Sequence, residues 1–371
     1  MRIVLLYLGR KGAGPIYSLE YAKALLNKGI NVYAIVSSYS ENIDSWRDLL
    51  AKYDKQLFKL KEVPTYKSAK DFLFKSLNIC LYYDLVRTIK EDSPDIVVST
   101  MIHPWHNIIF LCLKGRVKRI KVIHDVKPHT GEDSLIYRVL NYFDIHITDF
   151  RIVLTQKAKK ELIDFGVDQS SIAIIPHAQL NGYAKAKIEF LDVIQYKIAF
   201  IGRINRYKGL DILLQAFKNI RGKIPQLKLL IAGSGDCSRY LPAFKEMEDS
   251  LDLNIRWIAD DEFPSIIEKV DLVVLPYIEA TQSGIIPLSF AFGKTVIATY
   301  VGGLPEQVPQ GTGLLIPPKD PVALENAIQY LYDNPRQILE MGKKAFIYAN
   351  EELGWEKSAD LFVDFCKMHL K

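Results

Sequence analysis

Two series of short apolar runs, each alternating with helix-like runs, constrain this chain more than any other feature. In the first series, strand-like runs lie at 3–8, 31–36, 95–99, 122–124, 152–155 and 172–175, with helical patterns at 18–27, 70–89, 134–142 and 156–165. In the second, strand-like runs lie at 197–201, 227–232, 255–258, 272–276, 295–299 and 313–316, and helical patterns separate most of them. Strands that alternate with helices predict an α/β fold of parallel sheets covered on both faces. A chain of 371 residues has room for two such units. The stretch 179–192 carries no period and reads as a linker, while the amphipathic run 356–370 is long enough to return to the first unit. The reading is a domain at 1–190 joined by a closing helix at 355–371, and a second domain at 191–354. Each is a doubly wound, Rossmann-like unit, and two facing units leave a central cleft lined by strand C-termini, where ligands bind in open α/β sheets.

The chemistry concentrates at strand ends of the second half. Residues 199–209 read Ala-Phe-Ile-Gly-Arg-Ile-Asn-Arg-Tyr-Lys-Gly. A short strand runs into Gly202, Arg203 follows, and Lys208 precedes Gly209 and a helix-forming run. Two cations beside glycines suit a diphosphate, since glycine lets a backbone approach closely. A turn with two solvated basic residues is the plainer alternative. Further signals are Gly233-Ser234-Gly235, and 276–288 with Glu279, Thr281, Gln282, Ser283, Gly284, Ile285 and Ser289 just beyond. Ser283 is placed to cap a helix beginning at Gly284, whose free N–H groups would favour phosphate.

In this order and spacing, these elements resemble the retaining glycosyltransferases of family 4, which have the two-Rossmann GT-B architecture. The resemblance is specific over 195–350 and looser over 1–178. It implies transfer of a sugar from a nucleotide-diphosphate sugar to a glycan or lipid-linked acceptor, in cell-surface polysaccharide synthesis, with no metal and no bound cofactor. It also implies roles. Arg203 and Lys208 neutralise the donor diphosphate. Gly202, Gly233, Gly235, Thr281, Gln282, Ser283, Gly284 and Ile285 surround the donor. His124 contacts the donor sugar and positions the reacting centre. One departure stands out. The family carries two glutamates eight positions apart where this chain has Thr281 and Ser289. A serine makes only weaker, neutral hydrogen bonds, and Thr281, Gln282 or Glu279 could replace the first carboxylate. A catalytically silent homologue, or an epimerase or phosphorylase on the same fold, therefore stays open.

The N-terminal half is less explicit. The loop 9–14 is G-x-x-G-x-G, which fits neither the dinucleotide fingerprint nor a P-loop. It is read as facing the cleft, with Gly12 near the donor phosphate, or as a structural turn. His103, His106, His124 and His129 cluster at two neighbouring strand ends, but their spacing defines no metal geometry. His103 and His129 are candidates for the acceptor side of the cleft. His177 suits a hinge or packing role as well as a site.

Composition sets the remaining bounds. With 48 basic and 43 acidic side chains the net charge is +5, which permits an anionic ligand or membrane surface and does not call for nucleic acid. Cys80, Cys112, Cys237 and Cys366 are far apart, against disulfides and zinc and consistent with a reducing cytosol. The first apolar run is too short for a signal peptide, and no stretch approaches the ~20 residues of a membrane span. Residues 52–75 carry seven lysines interleaved with Phe58, Tyr66, Phe72 and Phe74. This segment reads either as a peripheral contact with the inner face of the plasma membrane or as a solvated helix face.

Overall fold

A computed structural model describes residues 1–128, 135–179 and 193–369, with the side chains of 135–137 left aside. His129 lies outside the described residues. Among the described residues, one compact unit takes 1–127, 135–176 and 355–369, and the other takes 128, 177–179 and 193–354.

The first unit is built on a seven-stranded parallel sheet. In chain order its strands are β1 (Arg2–Tyr7), β2 (Asn31–Ser37), β3 (Phe58–Val63), β4 (Ile96–Ser99), β5 (Lys118–Ile123), β6 (Phe150–Val153) and β7 (Ile172–Ile174). They lie in the order β3-β2-β1-β4-β5-β6-β7. Its helices are α1 (Ala13–Asn27), α2 (Ile43–Lys52), α3 (Ala69–Ser76), α4 (Ile79–Asp92), α5 (Pro104–Cys112), α6 (Leu135–His146) and α7 (Gln156–Asp164). The strand order reverses between β1 and β4, so the loops after these two strands share a switch point. Residues 3–8 are fully buried or nearly so, because a central parallel strand is covered on both faces and must be apolar throughout.

The second unit has six parallel strands, β8 (Lys197–Ile201), β9 (Lys228–Ala232), β10 (Leu251–Asn254), β11 (Leu272–Leu275), β12 (Thr295–Thr299) and β13 (Gly313–Ile316). Their order is β10-β9-β8-β11-β12-β13, with the switch point between β8 and β11. The helices are α8 (Leu210–Lys223), α9 (Leu241–Glu246), α10 (Phe263–Ile267), α11 (Ile285–Ala291), α12 (Leu304–Gln307), α13 (Pro321–Asp333) and α14 (Pro335–Glu352). A last helix, α15 (Trp355–His369), belongs to the first unit and packs on α1. Tyr17 meets Trp355 edge-on at 5.2 Å, and Tyr21 meets Phe362 at 5.5 Å.

Several elements differ from the sequence expectation. The helical run at 70–89 is two helices, each with its own cap: the Ser68 hydroxyl accepts from Asp71 N–H at 3.2 Å, and the Asn78 side chain from Leu81 N–H at 3.3 Å. The lysine-rich segment 52–75 is not one helix face. It contains β3, whose charges are paired: Lys59 with Asp92 at 2.6 Å, Lys61 with Asp84 at 2.6 Å, and Glu62 with Arg47 at 2.7 Å. The first helix begins at Ala13 rather than residue 18, because Gly12, at φ 94°, turns the chain directly off β1. The strand expected at 255–258 is β10, four residues earlier. Its end is held where Gly233 N–H donates to the Asn254 carbonyl at 3.0 Å.

Candidate functional site

The site residues of the second unit converge at its switch point. Beyond β8 the chain stays bound to the β9 loop, with Gly202 N–H on the Ala232 carbonyl at 2.9 Å and Ile204 N–H on the Ser234 carbonyl at 2.8 Å. Gly233 makes this approach possible, since a Cβ there would stand 1.9 Å from the Gly202 carbonyl oxygen. Gly235 is bridged to Ile204 in the same way. A short 3-10 turn, Arg206–Lys208, then leads to Gly209, whose φ of 69° starts α8. This turn is tied to the β11 loop by Ile278 N–H on the Tyr207 carbonyl at 2.7 Å.

One chain of contacts then links the two loops. Lys208 Nζ sits 3.7 Å from the centroid of the Tyr277 ring, a close cation–π contact. Tyr277 is buried, and burial pushes its hydroxyl up to about 12 against the opposing effects of Ser283 and the Arg203 charge. Its oxygen lies 3.2 Å from the Ser283 hydroxyl. Ser283 is held from behind by Gln307, which accepts from Ser283 N–H at 2.7 Å and donates to the Ser283 carbonyl at 3.1 Å. Arg203 is exposed and Lys208 half-buried, so two cations border this strand end.

The rest of the 276–289 stretch divides. Glu279 is exposed, Thr281 is buried, and Gln282 is half-buried with an Oε1 that has no hydrogen-bond partner among the described residues. The α11 helix starts at Ile285 rather than Gly284, and the Ser283 hydroxyl accepts from Ile285 N–H at 3.3 Å. Gly284 lies against the buried His177 ring. Ser289 is fully buried and donates to the Ile285 carbonyl at 2.7 Å, so its hydroxyl serves the helix and does not reach the surface. Gln307 and His177 hold this loop but have no motif of their own. Only the proximity of Gln307 to the Gly302–Glu306 run marked it in the sequence.

In the first unit, His124 follows β5 and its Nε2 lies 3.0 Å from the Thr100 carbonyl, at the end of β4. It stands edge-on to Tyr17 at 5.1 Å. Burial lowers its pKa, partly offset by the Thr100 carbonyl and Asp125. Gly12 differs from expectation: its N–H donates to Glu41 Oε1 at 3.0 Å, which occupies the donor proposed for phosphate. His103 is not a surface ligand either. It is 4% exposed, caps α5 by accepting Trp105 N–H at 3.2 Å, and packs among Tyr66, Phe72 and Trp105. Burial first, then the Lys121 charge, pushes its pKa down to about 3.

A folded pKa below the unfolded value near 6.5 means that the unfolded chain binds the extra proton. Stability is full above that value and falls as pH drops toward 3. His103 alone should cost about 2 kcal/mol at pH 5, and His106 and His124 shift in the same direction. The expected result is a lower urea midpoint at pH 5 than at pH 7.5, with a shallower pH slope in His103→Asn, which keeps a capping acceptor. An unchanged slope in that variant would refute the assignment.

Among the described residues, no group of three or more His, Cys, Asp or Glu is placed to hold a metal ion. Residues 15–178 match the profile of Glycosyltransferase Family 4, and residues 195–334 match that of Glycosyl transferases group 1. The chain belongs to this glycosyltransferase family. A similar family member is the D-inositol 3-phosphate glycosyltransferase of Corynebacterium kroppenstedtii, 31% identical over 173 residues. That match covers 44% of this chain and spans only 38% of the relative's length. Among solved structures, Anabaena HepE in complex with UDP-glucose aligns with a TM-score of 0.73 at 17% identity, covering 99% of this chain and 100% of that one. Sucrose-phosphate synthase from Thermosynechococcus elongatus aligns at 0.72 and 18% identity, covering 99% and 98%. The family fold is therefore GT-B, with two Rossmann-like parallel sheets.

Proposed function

We propose that this chain is a retaining glycosyltransferase that moves a sugar from a nucleoside diphosphate sugar to an acceptor hydroxyl without a metal ion. The observation that carries the reading is the pair Arg203 and Lys208 at the β8–β11 switch point, with Lys208 seated on Tyr277 and the turn bonded to the β11 loop. As the glycosidic bond breaks, charge develops on the diphosphate oxygens, and fixed cations stabilise that charge most. In the retaining step the acceptor attacks from the face the diphosphate leaves, and the leaving phosphate takes the acceptor proton. Thr281 and Gln282 supply polar groups for the donor sugar, and His124 orients it. UDP-sugars are the first donors to test, since the HepE structure was solved with UDP-glucose. A glycan or lipid-linked saccharide is the acceptor class.

The test is release of free nucleotide from a panel of UDP- and GDP-sugars in the presence of EDTA. Turnover in wild type and its loss in His124→Ala, with nucleotide binding retained, is the expected result. Silence across the panel would favour the second reading, a binding homologue, which rests on Thr281 and on the buried Ser289 standing where the family has carboxylates. A strict need for a divalent ion would defeat the metal-free step.

Peripheral membrane contact is part of the proposal, but through a different feature from the lysine run alone. Leu73, Phe74, Leu77, Ile79 and Tyr83, at the α3–α4 corner, are 66%, 77%, 79%, 80% and 68% exposed. Lys67 and Lys70 are exposed beside them. An apolar tip flanked by two lysines suits an anionic bilayer surface. Among the described residues no helix is long and apolar enough to cross a membrane. Wild type should float with phosphatidylglycerol vesicles at low salt, and Leu73→Ser/Phe74→Ser should float several-fold less. Equal flotation of the two proteins, or none, would remove this part of the proposal.

A further inference from the structure

The β11 loop of the second unit, residues 276–284, is fastened at both ends by unlike means. At its start the ties are Ile278 N–H on the Tyr207 carbonyl at 2.7 Å and the Thr299 hydroxyl on the Tyr277 carbonyl at 2.6 Å. Midway, the Ala280 carbonyl lies against Gly302, where a Cβ would stand 1.4 Å from its oxygen. At the far end the tie is one side chain. Gln307, the last residue of α12, engages both main-chain groups of Ser283: its Oε1 accepts from the N–H at 2.7 Å, and its Nε2 donates to the carbonyl at 3.1 Å. A carboxamide offers a donor and an acceptor side by side in one plane, as this pairing requires.

The Ser283 carbonyl needs that donor because the helix cannot supply one. Ser283 caps α11 through its hydroxyl, which accepts from Ile285 N–H at 3.3 Å. The carbonyl of a capping residue ordinarily accepts from the N–H four residues on. Here that residue is Pro287, which has no N–H. The first carbonyl the helix itself satisfies is that of Gly284, by Leu288 N–H at 3.3 Å. Ser283 is 2% exposed, and a buried main-chain group left unpaired is costly.

The residues just before this anchor are those assigned to the donor sugar. Thr281 is 7% exposed, and the buried Gln282 Oε1 has no hydrogen-bond partner among the described residues. The diphosphate end is held by other means. Gly202 and Ile204, on either side of Arg203, are bonded to the β9 loop, and the turn bearing Lys208 is bonded through Tyr207. The Ser283 hydroxyl meets the Tyr277 hydroxyl at 3.2 Å, but the ring under Lys208 is also fixed by its own burial and by the Thr299 bond.

We propose that Gln307 is a positioning residue for the transfer step, fixing the sugar end of the donor site and leaving the diphosphate end unchanged. This rests on the transferase reading. Without the clamp, Thr281 and Gln282 lose their anchor. The donor still binds by its diphosphate, but its sugar is less often aligned for attack, so the loss falls on kcat.

The test is Gln307→Met in the full chain, which keeps the length of the side chain and removes both bonds. With a UDP- or GDP-sugar that wild type turns over, kcat should fall about tenfold or more. The dissociation constant of the matching UDP or GDP, by isothermal titration, should stay within about threefold. Pro287→Ala in the same background gives the helix the N–H it lacks, aimed at the Ser283 carbonyl. It should raise kcat about threefold or more over Gln307→Met, with Pro287→Ala alone as the baseline. A side chain that only filled space would gain nothing from that change. Should Gln307→Met fail to fold, Gln307→Glu keeps the bond from Ser283 N–H and loses only the other, and the same readings apply. Nucleotide affinity falling as far as kcat, or no recovery in the double variant, would overturn the proposal. Turnover in wild type that the Gln307 variant leaves intact defeats this assignment alone, whereas silence of wild type with every donor defeats the transferase reading and the assignment with it.

Discussion

Arg203→Ala and Lys208→Ala are each expected to lower kcat/KM by about a hundredfold or more, the scale of one lost charge-stabilising contact at ~2–4 kcal/mol. The loss should fall on kcat as well as on binding, because the diphosphate carries more negative charge in the transition state than in the bound donor. The two residues differ in what else they do. Arg203 is exposed, so its removal leaves the core untouched. Lys208 lies 3.7 Å over the Tyr277 ring, so Lys208→Ala also forfeits a contact worth about 0.5–2 kcal/mol. A modest fall in melting temperature is therefore expected for Lys208→Ala. Lys208→Arg keeps the ring contact but changes head shape and reach, and should recover stability more than rate. Steady-state kinetics with calorimetric melting separates these effects. Near-normal rates in both alanine variants would remove the diphosphate from this strand end.

Gly209→Ala should be as damaging by a purely steric route. The residue has φ 69°, and a Cβ would stand 2.0 Å from the Pro276 carbonyl oxygen. The left-handed conformation alone costs an alanine roughly 1–2 kcal/mol, and the backbone overlap cannot be relieved by a rotamer change. The Arg206–Lys208 turn must move away from the β11 loop, which breaks the Ile278 to Tyr207 hydrogen bond and carries Lys208 off Tyr277. The expected outcome is a folded protein with a lower melting temperature and no nucleotide-induced stabilisation. Gly222→Ala is the control. It lies in α8 with nothing within 4 Å of the added atom and should be neutral or stabilising, since alanine is the better helix former. Nucleotide stabilisation of Gly209→Ala equal to wild type would show that the contact between these two loops does not build the site.

What the sequence revealed, and what it hid, follows burial and charge. Central strands such as β1, β4 and β11 are apolar save for Arg2 and Ser99 at their ends, because both faces are covered, and their runs were legible. The edge strand β3 was not, because Lys59, Lys61 and Glu62 break its pattern and are paired with Asp92, Asp84 and Arg47, far along the chain or on another element. The start of β5 was hidden likewise by Arg119 and Lys121, both buried through pairing with Asp149 and Asp144. At the site, Arg203, Lys208 and the glycines were readable as local motifs. The role of Gln307, which holds Ser283, was not, because it depends on a partner brought close by the fold. Ser289 shows the reverse limit: it stands where the family carries a glutamate, but its hydroxyl is turned into its own helix.

The central claim is that a nucleoside diphosphate binds at the β8–β11 switch point through Arg203 and Lys208. The most direct measurement is isothermal titration of UDP and of GDP into the full chain in EDTA, repeated on Lys208→Ala. The account predicts that at least one of the two binds wild type without metal, and at least tenfold more weakly in the variant. No binding of either, binding only with a divalent ion, or equal affinity in Lys208→Ala would contradict it.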